Sequence, residues 1–296
     1  MNKPTVDIPS VDWWITSQCN LSCDFCYGPD PEEKDPVGLR PGILEALEES
    51  STRVVTFCGG EPLLVKEISG YAATLRQHGK AAVLNTNGQL LSQRVDPDRG
   101  GPTIRLADFA MVGISVDGST PDMHYAMRRG RSQADLNRGR GKADLNEVLA
   151  AARLVASEPG VRLKIATVVS SVNKEDLPAL ARTVREIPPD IWRLYQYSSR
   201  GSYNLGQERH RLADDEFQRL VRQAADLVAP VRAAPSTEAE TEGCLIVDMS
   251  GNVLQPTAAG YAHLGNCLKE SLDDIWAELP ARSTIINNKR WLSVLG

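Results

Sequence analysis

The sequence predicts an α/β fold with a parallel sheet, and two observations carry that expectation. Apolar, strand-like runs alternate six times with helical segments, an order that sets parallel strands under covering helices. A hydrophobic fraction of 42% over 296 residues also suffices for a sizeable core, in one large α/β barrel or two small domains. The strand-like runs are Val11–Thr16, Val54–Phe57, Ala81–Asn85, Phe109–Val116, Arg162–Val169 and Ile191–Tyr197. The helical segments are Pro41–Glu49, Lys66–His78, Leu145–Ala156 and Lys174–Glu186. The last follows Asn173 and carries Glu175 and Asp176 in its first turn, charges that favour a helix N-terminus. Residues 1–10 read as a tail, 11–230 as the core and 231–296 as a C-terminal cap. In such a barrel the functional residues belong at the C-terminal ends of the strands.

Cys19, Cys23 and Cys26 follow the first run with the spacing C-x3-C-x2-C. Three thiols so close suit three irons of one cubane cluster, because cysteine thiolates are the usual ligands of iron–sulfur clusters. A fourth iron then keeps an open position, as a catalytic zinc does. A zinc site with a fourth ligand elsewhere is the plainer alternative, and a disulfide with a spare thiol is another. Six cysteines in 296 residues do not make a disulfide scaffold, and residues 1–10 hold no apolar signal segment. Phe25 and Tyr27 flank the last thiol, either as core aromatics or as a shield against water.

A second motif, Gly59-Gly60-Glu61-Pro62, ends the second run. Two glycines let a ligand come close to the backbone. Glu61 offers an acceptor to a ligand ammonium group, and Pro62 fixes the exit of the turn. Alone, the motif is also an ordinary strand-to-helix turn. Taken with the cysteine triplet upstream, it resembles the radical S-adenosylmethionine (SAM) superfamily.

The resemblance implies an open, partial (β/α)6 barrel. It implies a [4Fe–4S] cluster on Cys19, Cys23 and Cys26, with SAM chelated to the fourth iron through its amino and carboxylate groups. An electron from the cluster cleaves SAM to methionine and a 5′-deoxyadenosyl radical, which abstracts hydrogen from substrate. The cofactor carries the hard chemistry, and the protein orients it and excludes water. Contacts to SAM are implied at Tyr27, Gly59, Gly60, Glu61, Pro62, Asn87, Ser115 and Arg129. Read without the resemblance, Asn87 belongs to an Asn-Gly turn and Arg129 to a solvated loop. A flavodoxin- or ferredoxin-type electron donor is implied as a partner.

Further likeness narrows toward viperin and its prokaryotic relatives, which act on nucleoside triphosphates. Val11-Asp-Trp-Trp14, Leu163–Val169, Ile191–Gln196, Asp214–Phe217 and Leu245–Asp248 are similar to that family in order and spacing. The family's lysine and arginine that hold the triphosphate fall at Lys164 and Arg193; Tyr195 or Lys164 is the candidate acid or base. Departures fall at Trp13, Val54, Cys58 and Ala166, each replacing a polar residue of the family. The substrate is therefore expected to differ or to bind differently, since several lost hydrogen bonds would each weaken the hold on an unchanged ligand.

Cys244–Leu254, Leu264–Cys267 and Ser271–Trp276 resemble the SPASM-type extensions of peptide-modifying radical SAM enzymes. Only Cys244 and Cys267 remain of their cysteines, and two thiols cannot hold a cubane, so no auxiliary cluster is expected. Ala234–Gly243, acidic and rich in Pro, Ser and Thr, reads as a mobile connection. Arg128–Lys142, with six basic residues, reads as a solvated loop or as a lid over an anionic substrate.

A net charge of −5 argues against a nucleic-acid polymer as partner. No apolar run is long enough to span a membrane. Cytoplasmic placement and a monomer or weak dimer are expected. The function expected is hydrogen abstraction from a small, nucleotide- or sugar-like substrate. The alternatives are modification of a ribosomal peptide, disfavoured because no leader-binding domain precedes the cysteines, and a non-enzymatic iron–sulfur protein.

Overall fold

The computed structural model describes residues 7–96, 98, 103–128, 143–200, 204, 206–241, 244–258, 260–279 and 295. Ten strands form one sheet: β1 Val11–Thr16, β2 Val54–Gly59, β3 Ala81–Thr86, β4 Met111–Ser115, β5 Arg162–Val169, β6 Ile191–Gln196, β7 Ala233–Ser236, β8 Ile246–Val247, β9 Asn252–Thr257 and β10 Gly260–Asn266. Their order is β10-β9-β8-β1-β2-β3-β4-β5-β6-β7. β8 and β1 through β7 run parallel. β8, β9 and β10 form an antiparallel meander. The sheet does not close, so the barrel is partial, with β7 and β10 at its edges.

The strands form where apolar runs are buried on both faces, as parallel sheets require. Outward residues such as Val55, Phe57, Leu84, Val112, Ile165 and Leu194 join the main core with the helices. Helix Leu145–Ala156 shows the matching logic. Asp144 caps it by accepting the Asn146 N–H at 2.9 Å, and Leu145, Val148, Ala151, Ala152 and Val155 make its buried stripe.

The inner face changes character along each strand, because alternate residues share a face. Val54, Val83, Met111, Ile191 and Ala234 form an apolar floor. Two residues further on stand Thr56, Asn85, Gly113, Arg193 and Ser236, polar but for the glycine, and these line the cavity described below.

The helical segment expected over Lys174–Glu186 forms as a 3-10 turn at Lys174–Asp176 followed by α-helix over Leu177–Glu186. The Asn173 amide before it ties the β4 and β5 ends together, donating to the Asp117 and Val168 carbonyls at 3.0 and 2.8 Å. Three expectations are corrected. Ala234–Gly243 is not a bare connection: it contributes most of β7 and a short helix at Glu238–Thr241. Pro235 fits there because β7 is an edge strand, where a missing N–H costs no ladder bond. Trp13 faces the core, fully buried against Phe57 and Tyr71 with centroids 5.5 and 5.8 Å away. It is Asp12 and Trp14, its neighbours on the other face of β1, that line the cavity. Val54 lies in the apolar floor and likewise does not line it.

Candidate active site

The three thiols open onto one cavity at the C-terminal ends of the strands, and the cavity continues down the barrel lumen to Asp12, Lys164 and Arg193. Cys23 is buried, while Cys19 and Cys26 are partly exposed to this space. The Leu21 N–H points at Cys19 Sγ and the Gly28 N–H at Cys26 Sγ, both at 3.4 Å. Burial pushes the Cys23 thiol up to about 12, against the opposing charge of Arg128. Burial raises Cys19 as well, and Glu61 adds to the effect. A coordinating metal reverses this, because it deprotonates a thiol outright. Among the described residues no three His, Cys, Asp or Glu side chains gather as a single-ion site would require. A cubane needs no such point, since each thiolate takes a different iron. The donor set and its N–H···S contacts fit such a cluster.

The Gly59-Gly60-Glu61 turn is built against the cysteine loop. Gly59 has φ +109°, and a Cβ there would lie 2.6 Å from the Thr16 carbonyl oxygen. At Gly60 a Cβ would lie 2.1 Å from the Gln18 carbonyl oxygen. The Gly60 and Glu61 N–H groups donate to Thr16 and Gln18 at 2.7 and 2.8 Å. The glycines therefore serve first the approach of the chain to itself, where the sequence suggested an approach of ligand. Glu61 is almost fully buried and accepts from the Leu63 N–H, the Thr86 hydroxyl and the Asn87 N–H at 3.0, 2.7 and 2.8 Å. Burial nevertheless raises its carboxyl above the ordinary value. Pro62 is buried and opens a 3-10 turn to Leu64. Asn87 donates to Asn20 at 2.7 Å, linking the end of β3 to the cysteine loop.

Ser115 and Tyr27 line the same cavity, and Tyr27 is 42% exposed. Arg129 lies outside the described residues, as does the rest of the basic loop beyond Arg128. Arg128, which the sequence placed in a solvated loop or lid, is instead buried at the end of the helix Pro121–Arg128 and lines the cavity. Its Nε donates to Asp117 at 2.6 Å, and its guanidinium sits 5.8 Å from the Phe25 ring centroid. Burial opposes the Arg128 charge, but Asp117 and the Cys23 thiol outweigh it and hold the guanidinium above its ordinary range.

Lower in the lumen, Lys164 is 1% exposed and donates to Asn85 Oδ1 at 2.6 Å. Arg193 donates to the Pro235 carbonyl at 3.2 Å and lies over Tyr195, 5.1 Å from its ring centroid. Cys58 and Ala166 line the same cavity, as do Asp12 and Cys244, and so do Arg200 and Glu240, which the sequence did not single out. Tyr261 on β10 packs edge-on against Trp14 at 5.2 Å and donates to the Tyr27 carbonyl, so the C-terminal meander walls one side. Cys267 sits apart in the main core.

The Radical SAM superfamily pattern matches residues 14–184, spanning the end of β1, the cysteine loop, the Gly59–Pro62 turn and β2 to β5. The chain belongs to the radical SAM superfamily. Enzymes of this superfamily use a [4Fe–4S] cluster and SAM, and this chain is one of them. It is 28% identical over 228 residues to the Fe-coproporphyrin III synthase of Methanosarcina barkeri, covering 74% of this chain but half of that relative. It is 24% identical over 269 residues to an S-adenosylmethionine-dependent nucleotide dehydratase of Selenomonas ruminantium, covering 90% of this chain and 93% of that one. Among solved structures, Streptococcus suis SuiB bound to its precursor peptide SuiA aligns over 94% of this chain and 67% of its own, with a TM-score of 0.68 at 15% identity. The enzyme anSMEcpe with bound AdoMet and a peptide aligns over 97% and 87%, with a TM-score of 0.64 at 16% identity. Both show the fold of this radical SAM enzyme. No helix among its described residues is long and apolar enough to cross a membrane.

Proposed function

We propose that the chain couples reductive SAM cleavage to hydrogen abstraction from a small anionic substrate of nucleotide or sugar-phosphate type. The observation that carries this reading is the placement of Lys164 and Arg193 in the lumen of the cavity that the three thiols also line. Two cations on adjacent strands suit a phosphate chain, because charge-assisted hydrogen bonds are the strong ones. The nucleotide dehydratase relative, matched along nearly its whole length, supports the same class.

The cluster on Cys19, Cys23 and Cys26, when bound, supplies the electron that cleaves SAM. Glu61 is assigned to the SAM ammonium, since its buried carboxylate keeps lone pairs beyond those filled by Leu63, Thr86 and Asn87. Arg128 is assigned to the SAM carboxylate in the place expected of Arg129, and Ser115 and Asn87 to the polar groups of SAM. Trp14, Tyr27 and Tyr261 exclude water above the lumen. Lys164 and Arg193 hold the anionic end of the substrate, and Tyr195, under Arg193, is assigned to move a proton.

The test is anaerobic reconstitution followed by dithionite, SAM and a panel of nucleoside triphosphates, sugar phosphates and coproporphyrin, scoring 5′-deoxyadenosine. Stimulation by a phosphorylated compound is expected. Stimulation by coproporphyrin alone would overturn the substrate class while leaving the chemistry in place.

A further inference from the structure

Asp24 stands inside the cysteine loop, yet its side chain points away from the cavity. Asp24, His210, Ser170 and Asn204 are all buried, and none of them lines the cavity. Asp24 Oδ1 lies 3.0 Å from His210 Nε2, and its other oxygen accepts from Arg209. His210 Nδ1 lies 3.3 Å from the Ser170 hydroxyl. A carboxylate only accepts, so Nε2 carries a proton toward Asp24, while Nδ1 stays within hydrogen-bond reach of the Ser170 hydroxyl. The His210 ring is then fixed at both nitrogens. Its faces are also held, edge-on to Phe25 at 5.7 Å and tilted against Tyr197 at 5.3 Å. Beside it, Asn204 donates to the Phe25 carbonyl at 3.1 Å and to the Ser198 carbonyl at 3.0 Å, and Tyr197 donates to the Asn204 carbonyl.

These contacts hold Asp24 and Phe25, the two residues between Cys23 and Cys26, from the side opposite the cavity. We propose that His210, acting through Asp24, is a positioning residue for the cluster: it fixes the main chain between two of the three ligands so that Cys23 and Cys26 present their sulfurs in the spacing the cluster needs. The cysteine loop has almost no regular structure of its own, and Tyr197, Asn204 and His210, after β6, supply the rigidity from outside. Groups behind a metal's ligands orient them, and removing such partners typically costs about 10- to 100-fold in metal affinity or activity. The inference rests on family membership and not on the substrate reading.

The experiment uses the full chain, reconstituted anaerobically, as His210→Phe, His210→Gln and Asp24→Ser. His210→Phe keeps the ring packing and removes both hydrogen bonds. His210→Gln keeps an N–H that reaches Asp24. The readouts are the rate of iron loss to bathophenanthroline, the midpoint potential of the cluster, and the melting temperature of the iron-free protein. His210→Phe and Asp24→Ser are each expected to lose iron about 10- to 100-fold faster and to shift the potential. His210→Gln is expected to behave as the parent, and the double variant His210→Phe/Asp24→Ser no worse than either single. A lowered melting temperature with parental iron loss and potential would reduce His210 to a structural residue and overturn the proposal. So would equal losses in His210→Phe and His210→Gln. If His210→Phe does not accumulate, parental behaviour of Asp24→Ser overturns it alone. A parent chain that takes up no cluster would overturn the ligand assignment instead.

Discussion

Lys164 reaches Asn85 across the face of Gly113. The three residues sit side by side on β5, β3 and β4, in register. A Cβ on Gly113 would lie 2.3 Å from Lys164 Cε and 2.6 Å from Asn85 Oδ1. The missing side chain is what lets the ammonium lie in the lumen. Gly113→Ala should therefore displace Lys164, raising the KM of an anionic substrate while leaving substrate-free SAM cleavage intact. Asn85→Ala removes an acceptor from a buried cation and should cost about 2 kcal/mol in a denaturant titration of the iron-free protein.

Trp13 and Trp14 should separate cleanly. Trp13→Ala deletes a fully buried ring and should destabilise the fold by about 3–5 kcal/mol, with 5′-deoxyadenosine formed per folded molecule unchanged. Trp14→Ala should instead alter turnover and substrate dependence, because that ring faces the cavity. Chemical denaturation set beside single-turnover assays checks both.

Gly60→Ala places a methyl group against a carbonyl oxygen that cannot retreat without moving Gln18 and Cys19. A loss of about 1–3 kcal/mol, the usual range for overpacking, is expected. Iron content after reconstitution should fall with it, and iron assays on the variant measure this directly.

His124 gives the fold an acid limit. It is fully buried, accepts the Asp117 N–H at 3.3 Å, and burial lowers its pKa from 6.5 to about 4. A depressed histidine means that the unfolded chain takes up the proton first. The stability is whole above pH 6.5 and drains as pH falls toward 4, by up to about 3 kcal/mol. His124→Asn should flatten that slope in urea titrations of the iron-free protein run between pH 7 and 4.

The strands that the alternation revealed, β1 to β6, are long apolar runs whose register follows from their own sequence. β7 and β8 escaped the sequence because their cause is not local. β7 carries a proline that only its edge position tolerates, and β8 is two residues laid against β1. The thiols and Gly59–Pro62 were legible for a different reason: their chemistry demands particular residue types at close spacing. The pairings behind them were not. Arg128 meets Asp117 across 11 residues and His210 meets Asp24 across 186, and no periodicity connects such partners. Trp13 stands in sequence beside cavity residues, but the two-residue alternation of β1 turns it away from the lumen.

The meander of β8, β9 and β10 hangs on the flank of β1, the strand that leads into the cysteine loop. Without it, the Asp12–Trp13 stretch of β1 would lose its pairing on that flank, leaving strand amides and carbonyls open beside three reactive sulfurs. Such an edge is a template for pairing with another chain. A fragment cut before β8 should accordingly form oligomers and precipitate under iron loading, so the chain from β8 onward acts as a guard against self-association as well as a wall of the pocket.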